Sequence, residues 1–257
     1  MARESKKAAG SGFRWRLAGG LLAAGLVCVS TGMAALKVRR FVTSDPQFAL
    51  SRYRNGALTI QGLRYASHTR VTHVFSGDFG HSIFAVPLDE RRRRLLAIDW
   101  VEDASVSRIW PDRLVVQVRE RRPVAFVYFR TGFLLIDAHG VLLDPSPEAQ
   151  FSFPVLSGVR EQDDDQTREE HVQAMLRLEE DMGYEAKDIS EVNTSDLDNL
   201  RIVAKVDNRA IELILGDENF GRRYQNFLAH YQEIRRQSPG VKTFDLRLDD
   251  RITAKDQ

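Results

Sequence analysis

The sequence predicts an α+β protein in three parts. These are a single N-terminal transmembrane helix, a compact β-α-α-β-β unit, and a mostly antiparallel β domain carrying two helices. Three observations predict it. An uncharged run of twenty residues, 17–36, stands between basic clusters. Two stretches with helical spacing are followed by two alternating stretches joined at a Trp110–Pro111 corner. Beyond Pro123, short apolar runs punctuated by glycine and proline alternate with only two segments of helical period.

The composition, 43% apolar and 28% charged over 257 residues, is that of a folded chain with core enough for one or two domains. Its net charge of +1 hides an asymmetry. Residues 1–40 carry eight Lys and Arg against Glu4, a sum of +7, so the other 217 residues sum to −6. A mildly acidic body argues against a nucleic-acid partner.

Residues 1–16 read as a cytoplasmic tail and 17–36 as the membrane helix, since twenty residues rise about 30 Å, the thickness of a hydrocarbon core. A cleaved signal peptide is the competing reading, because small residues lie near the end of the run. The run is longer than a usual signal core, however, and Lys37, Arg39 and Arg40 follow it directly. Five basic residues before the span and three after it favour a cytoplasmic N-terminus, with the body outside the cytoplasm. Cys28, the lone cysteine, lies inside the span, so no disulfide framework supports the body.

Residues 37–56 form a polar connector. "ALTIQGL" at 57–63 alternates as a strand. Ser67 caps a helix with Val71, Val74 and Phe75 on its apolar side. Pro87 suits the first turn of a second helix, with Asp89 and Glu90 at the positive end of its dipole and Leu88, Leu95 and Leu96 as its buried stripe. The arginines 91–94 read as its wet side. In "EDASVSR", Ala104 and Val106 face one way and Ser105 and Ser107 the other. Pro111 and Asp112 suit a tight turn. Leu114, Val116 and Val118 then alternate with Val115, Gln117, Arg119 and Arg121, a strand with one wet face. Residues 57–124 thus make a unit with two helices on one face of a small sheet.

The β domain spans 125–254. "AFVYFR", "GFLLIDAHG" and "VLLDP" read as a meander beginning after Pro123. Thr167 and Glu170, spaced as a capping box, open a helix that Gly183 closes. Strands near 189–192, 200–206 and 211–215 follow. A second helix places Phe220, Tyr224, Phe227, Leu228, Tyr231 and Ile234 on one stripe, with Arg222, Arg223 and Arg235 on its outer side. The last strand puts Phe244, Leu246 and Leu248 on one face and Thr243, Asp245 and Arg247 on the other. Residues 255–257 are a tail.

No reactive constellation emerges. His68, His73 and His81 do not share a helix face and have no carboxylate or cysteine company. Ser82, Ser105 and Ser107 lack the glycine-bracketed turn of a nucleophile elbow. Asp163, Asp164 and Asp165 lack the spaced ligands of a calcium loop and read as solvated. No catalytic, cofactor or metal residue is assigned, and the chain reads as a binding protein rather than an enzyme. Trp100 is expected in the core, and Trp110, at the corner, is a candidate surface anchor.

With the elements in this order, residues 57–124 look like a POTRA module. The words "GHSIFAVPLDERRRRLLAIDWVEDASVSRIWPDRLVVQVRERRPVA" and "LIDAHGVLLD" resemble the bacterial cell division family FtsQ/DivIB. "TFDLRLDDRITA" resembles that family's terminal "DLR" strand, which falls on Asp245, Leu246 and Arg247; Leu248 stands where the family often has an aromatic. The resemblance runs from residue 58 to about 254. It implies a bitopic, non-catalytic divisome scaffold in the inner membrane at the septum, with the body periplasmic and no cofactor. The implied partners are FtsB-like and FtsL-like division proteins, and the implied role is to help regulate septal cell-wall synthesis. A partner segment would join by strand addition, with Phe244, Asp245, Leu246, Arg247, Leu248, Arg251 and Ile252 as contact residues. A second surface on the POTRA unit, with Trp110, Arg119 and Arg121, would serve other divisome components. The competing reading is a POTRA-type binding module of an outer-membrane or secretion translocation system. That reading calls for a β-barrel, and only about 130 residues follow the unit.

Overall fold

The computed structural model describes residues 11–146, 149–248 and 251–255, with side chains from Gly25 onward. Helix α1 (Ser11–Ser44) is continuous over 34 residues. The first part of the expected membrane span, 17–24, lies outside the residues whose side chains are described. Among the described residues no helix is long and apolar enough to cross a membrane. Leu26, Val27, Val29, Met33 and Leu36 are each more than half exposed. Residues 37–44, read from the sequence as connector, continue α1, because nothing breaks the helix before Pro46. Asp45, forced out of the helical region by the following proline (φ −75°, ψ 127°), caps a short turn at Pro46–Phe48 instead.

The described chain falls into two compact units. One comprises residues up to Gln61 with Thr72–Arg93 and Ser105–Gln117; the other comprises Gly62–Val71, Arg94–Ala104 and Val118 onward. Between residues 58 and 120 the predicted order is present: β1 (Leu58–Gln61), α2 (His68–His73), α3 (Leu88–Leu96), β2 (Val101–Ile109) and β3 (Arg113–Glu120). The strands form a three-stranded sheet in the order β1-β3-β2. Strand β1 runs parallel to β3, with Leu58 opposite Leu114 and Gln61 opposite Gln117. Leu114, Val116 and Val118 are buried while Gln117 and Arg119 are exposed, so the period-two reading of β3 holds. The first unit buries Phe48, Leu50, Phe75, Ile83, Leu114 and Val116. The arginine run is not uniformly wet. Arg91 is tucked against Asp78, its Nε and Nη2 donating at 2.6 and 2.8 Å, because a buried carboxylate requires a paired charge.

The second unit is built on a nine-stranded sheet, counted among the described residues. Its strands are β4 (Pro123–Phe129), β5 (Gly132–Asp137), β6 (Leu142–Leu143), β7 (Val155–Ser157), β8 (Ile189–Asn193), β9 (Leu200–Val206), β10 (Arg209–Gly216), β11 (Thr243–Leu248) and β12 (Arg251–Lys255). Their order is β12-β11-β10-β9-β8-β7-β4-β5-β6. Five pairings are antiparallel, and three, β4–β7, β7–β8 and β10–β11, are parallel. The expected meander is β4-β5-β6. Pro123 opens β4 rather than standing before it, since a first strand residue can lack an N–H without cost to the ladder.

Helices α4 (Asp165–Met182) and α5 (Phe220–Gln237) share one core with the sheet. Val172, Met175 and Leu178 from α4 and Tyr224 and Phe227 from α5 join Ala125, Val127, Ile202, Leu213 and Phe244 there. The cap of α4 is Asp164, not Thr167: its carboxylate accepts from the Thr167 N–H at 2.8 Å, so the helix starts before the expected box. That hydrogen bond holds Asp164 below the usual carboxylate range. Gly221 seats α5 against α4. Its N–H donates to Asp181 Oδ2 at 2.9 Å, and a Cβ there would lie 2.4 Å from the Asp181 carbonyl oxygen. A smaller core of Ala66, Trp100, Leu135 and Leu143 packs with Tyr65, Phe126, Phe151 and Phe153. Trp100 is buried there as expected, its Nε1 donating to the Asp144 carbonyl at 2.9 Å.

Candidate functional site

The sheet ends on a strand that the sequence reading did not separate. Strand β12 pairs antiparallel with β11, setting Thr243 opposite Lys255, Phe244 opposite Ala254, Asp245 opposite Thr253 and Leu248 opposite Arg251, with a register shift after Asp245. Strand β11 is therefore an interior strand, hydrogen-bonded to β10 on one side and β12 on the other. Its side chains divide accordingly. Phe244 and Leu246 are core residues, and Phe244 packs on Phe227 with ring centroids 5.2 Å apart. Leu248, expected on the same face, lies 58% exposed, because the register shift lets the end of the strand leave the core.

Asp245 and Arg247 share the opposite face, two residues apart. The Arg247 Nε donates to Asp245 Oδ1 at 2.9 Å and Nη2 to Oδ2 at 2.6 Å. Lys255 of β12 reaches the same carboxylate at 3.2 Å. The bidentate hydrogen bonds from Arg247 hold the Asp245 carboxyl well below the usual range, and the pairing raises the Arg247 guanidinium in turn. The "DLR" sequence thus has a division of labour. Leucine fills the core, and the aspartate, held by Arg247 on its own strand, ties the edge strand to β11 through Lys255.

Beside this edge lies a groove of about 240 Å³, lined by Arg222, Arg223 and Asn226 of α5 and by Leu246, Leu248 and Ile252. Arg223 donates from Nη1 to the Leu215 carbonyl at 2.6 Å, which fixes its guanidinium at the groove wall. Along β12, Arg251, Thr253, Ala254 and Lys255 are exposed and Ile252 is half-buried. Thr253, Ala254 and Lys255 were absent from the expected contact set. Their only signal was the β-branched pair Ile252–Thr253, since no apolar face alternates along β12. Among the described residues no cluster of His, Cys, Asp or Glu could hold a metal ion.

The residues of the expected second surface are placed differently from one another. Trp110, in the first compact unit, is 69% exposed at the hairpin corner, where its bond to Pro111 is cis. Arg119 and Arg121 belong to the second unit. Arg119 is exposed and lies 3.2 Å from Glu102. Arg121 is largely buried, its Nη1 donating to Asp137 Oδ2 at 2.9 Å, which commits its charge inward.

Comparison with known proteins agrees with this architecture. A model of the C-terminal part of cell division protein FtsQ/DivIB matches residues 125–247, and a model of the FtsQ-type POTRA domain matches residues 56–121. The chain belongs to the FtsQ/DivIB family. The cell division protein FtsQ of Koribacter versatilis is 37% identical over 202 residues, which cover 76% of this chain and 58% of that protein. That of Zymomonas mobilis is 35% identical over 100 residues, 38% of this chain and 32% of its own length. The chain therefore spans less than two thirds of either relative. The solved major extracytoplasmic domain of the cell division protein DivIB from Geobacillus stearothermophilus overlaps 47% of this chain and 95% of its own at 22% identity. Its TM-score is 0.28. Strand β12 lies beyond the residues that the C-terminal model matches.

Proposed function

We propose that the chain is a non-catalytic scaffold of the division machinery, anchored in the inner membrane through residues 17–36 with its body in the periplasm. In this reading it captures FtsB-like and FtsL-like division proteins by strand addition and so helps regulate septal cell-wall synthesis. The observation that carries this reading is the position of β12 at the end of the nine-stranded order with its side chains largely exposed. An edge strand offers a row of backbone donors and acceptors to an incoming segment. Leu248, Ile252 and the arginines of α5 offer that segment an apolar and cationic groove beside the ladder.

Consecutive strand residues point their N–H groups to opposite edges. One of Thr253→Pro and Ala254→Pro therefore removes an outward donor and leaves the pairing with β11 intact. Titration of both variants against purified FtsB-like and FtsL-like ectodomains is the test. The variant that keeps its circular dichroism should bind about tenfold more weakly, the worth of one hydrogen bond and its blocked neighbours. Parental affinity in every folded variant would move the docking surface away from β12.

A further inference from the structure

We propose that the aromatic corner at the end of α1, made by Phe41, Phe84 and Trp110 around Phe48, is a lipid-contact surface that seats the first compact unit in the headgroup layer of the bilayer. The proposal rests on reading residues 17–36 as a membrane helix.

Phe48 is buried and forms the hub, with ring centroids 5.8 Å from Phe41, 5.5 Å from Phe84 and 5.9 Å from Trp110. The rings around it are not buried. Phe41 and Trp110 are more than half exposed, and Phe84 and Ile109 more than a third. Such a patch of large apolar side chains, on a protein with water all round, would be a liability.

Its depth follows from α1. Phe41 lies five residues past the end of the uncharged run on the same unbroken helix, a rise of about 7.5 Å. The headgroup region on each side of a hydrocarbon core is about 5–7 Å thick. An upright helix would put Phe41 at the outer edge of that layer, and the usual tilt of about 20° brings it inside, at the level where interfacial rings such as that of Trp110 settle. Lys37, Arg39 and Arg40, exposed on the same turns, suit anionic headgroups.

Hydrogen bonds make the corner one piece. The Ser82 hydroxyl donates to the Val42 carbonyl at 2.7 Å, and Ile83 N–H to the Phe48 carbonyl at 2.9 Å. Arg108, near the hairpin tip, donates from Nε to the Ile83 carbonyl at 2.6 Å and from Nη2 to that of Val86 at 2.7 Å. The end of α1, the segment carrying Phe84 and the hairpin carrying Trp110 are therefore held in register before any membrane is met.

The test uses the full chain with Trp15→Phe and Trp100→Phe, leaving Trp110 as the sole tryptophan. It is reconstituted without partners into phosphatidylethanolamine–phosphatidylglycerol vesicles, with and without brominated acyl chains. Bromine should quench Trp110 emission about twofold and aqueous acrylamide should quench it little, as for an interfacial ring. A chain that floats with the vesicles but keeps Trp110 open to acrylamide and blind to bromine overturns the lipid surface alone. Protection that arises only when other division proteins are added assigns the corner to a protein partner and also overturns it. A chain that does not float overturns the membrane-helix reading and the lipid surface with it. If Trp100→Phe costs the fold, a nitroxide on Trp110→Cys in a Cys28→Ser background reports the same depth, with oxygen accessibility expected to exceed that of an aqueous nickel reagent.

Discussion

Asp137, buried at the end of β5, accepts the Arg121 guanidinium and the N–H groups of His139 and Val141, each at 2.9 Å. Arg121 Nε is buried with no hydrogen-bond partner in the structure, so Asp137 is what makes this arginine tolerable. Asp137→Ala should cost about 3–5 kcal/mol in urea unfolding, the usual penalty for breaking one side of a buried pair; a loss under about 1 kcal/mol would show that the site relaxes around Arg121. Asp245 belongs to the opposite regime. Its folded carboxyl titrates below the unfolded one, so its contribution is complete above about pH 5 and is lost as pH falls through the unfolded and then the folded value. Solvent reaches this cluster, and the contribution is about 1 kcal/mol or less. Asp245→Asn should therefore flatten the decline of melting temperature between about pH 5 and pH 2, and an unchanged slope would mean the clamp adds nothing to folding. Neither pair was legible as a pair in the sequence. Arg121 read as part of a wet face because alternation assigns a side of the strand, whereas Asp137, on another strand, decides which arginine is drawn in.

At the scale of elements, period-two patterning found β3 and the first part of β11, and short apolar runs punctuated by glycine and proline found the β4-β5-β6 meander, in which only β4 alternates in burial from end to end. It missed β7, which has three residues, too few to show a period. It did not separate β12, whose exposed residues leave no apolar face to read. The cap of α4 was misplaced because Asp164 and Thr167 are both competent caps and only the chain's approach decides between them. The same features decide how the C-terminus should be cut. Ending the chain after Gly240 removes Phe244 and Leu246 from the core shared with α5, and the second unit should lose most of its cooperative melt. Ending it after Leu248 removes only β12, and a clear, lowered transition should remain. Scanning calorimetry of both truncations checks this; equal melts would show that β11 is not part of the cooperative core.

For the whole molecule, motif order was more informative than any single motif, and it placed the chain in its family before either sheet could be drawn. The pairing of distant strands was not legible, because β4–β7, β7–β8 and β10–β11 join segments far apart in the chain and the sequence has no local mark of such parallel neighbours. Charge asymmetry was legible and has a test at this scale. The full chain should float with anionic vesicles and stay bound in high salt, whereas residues 41–257, with net charge −6, should remain in the aqueous fraction. Release of the full chain by salt alone would reduce residues 1–40 to a peripheral basic arm. The three residues of β7 matter once more when the molecule is imagined under tension. If the sheet is gripped at β12 and restrained at β4 or β5, load passes from strand to strand, and the section through β7 has only two register pairs with β4 and three with β8. That section is the narrow link of the belt, and α4, whose apolar side shares a core with strands on both sides of it, is the splint across it.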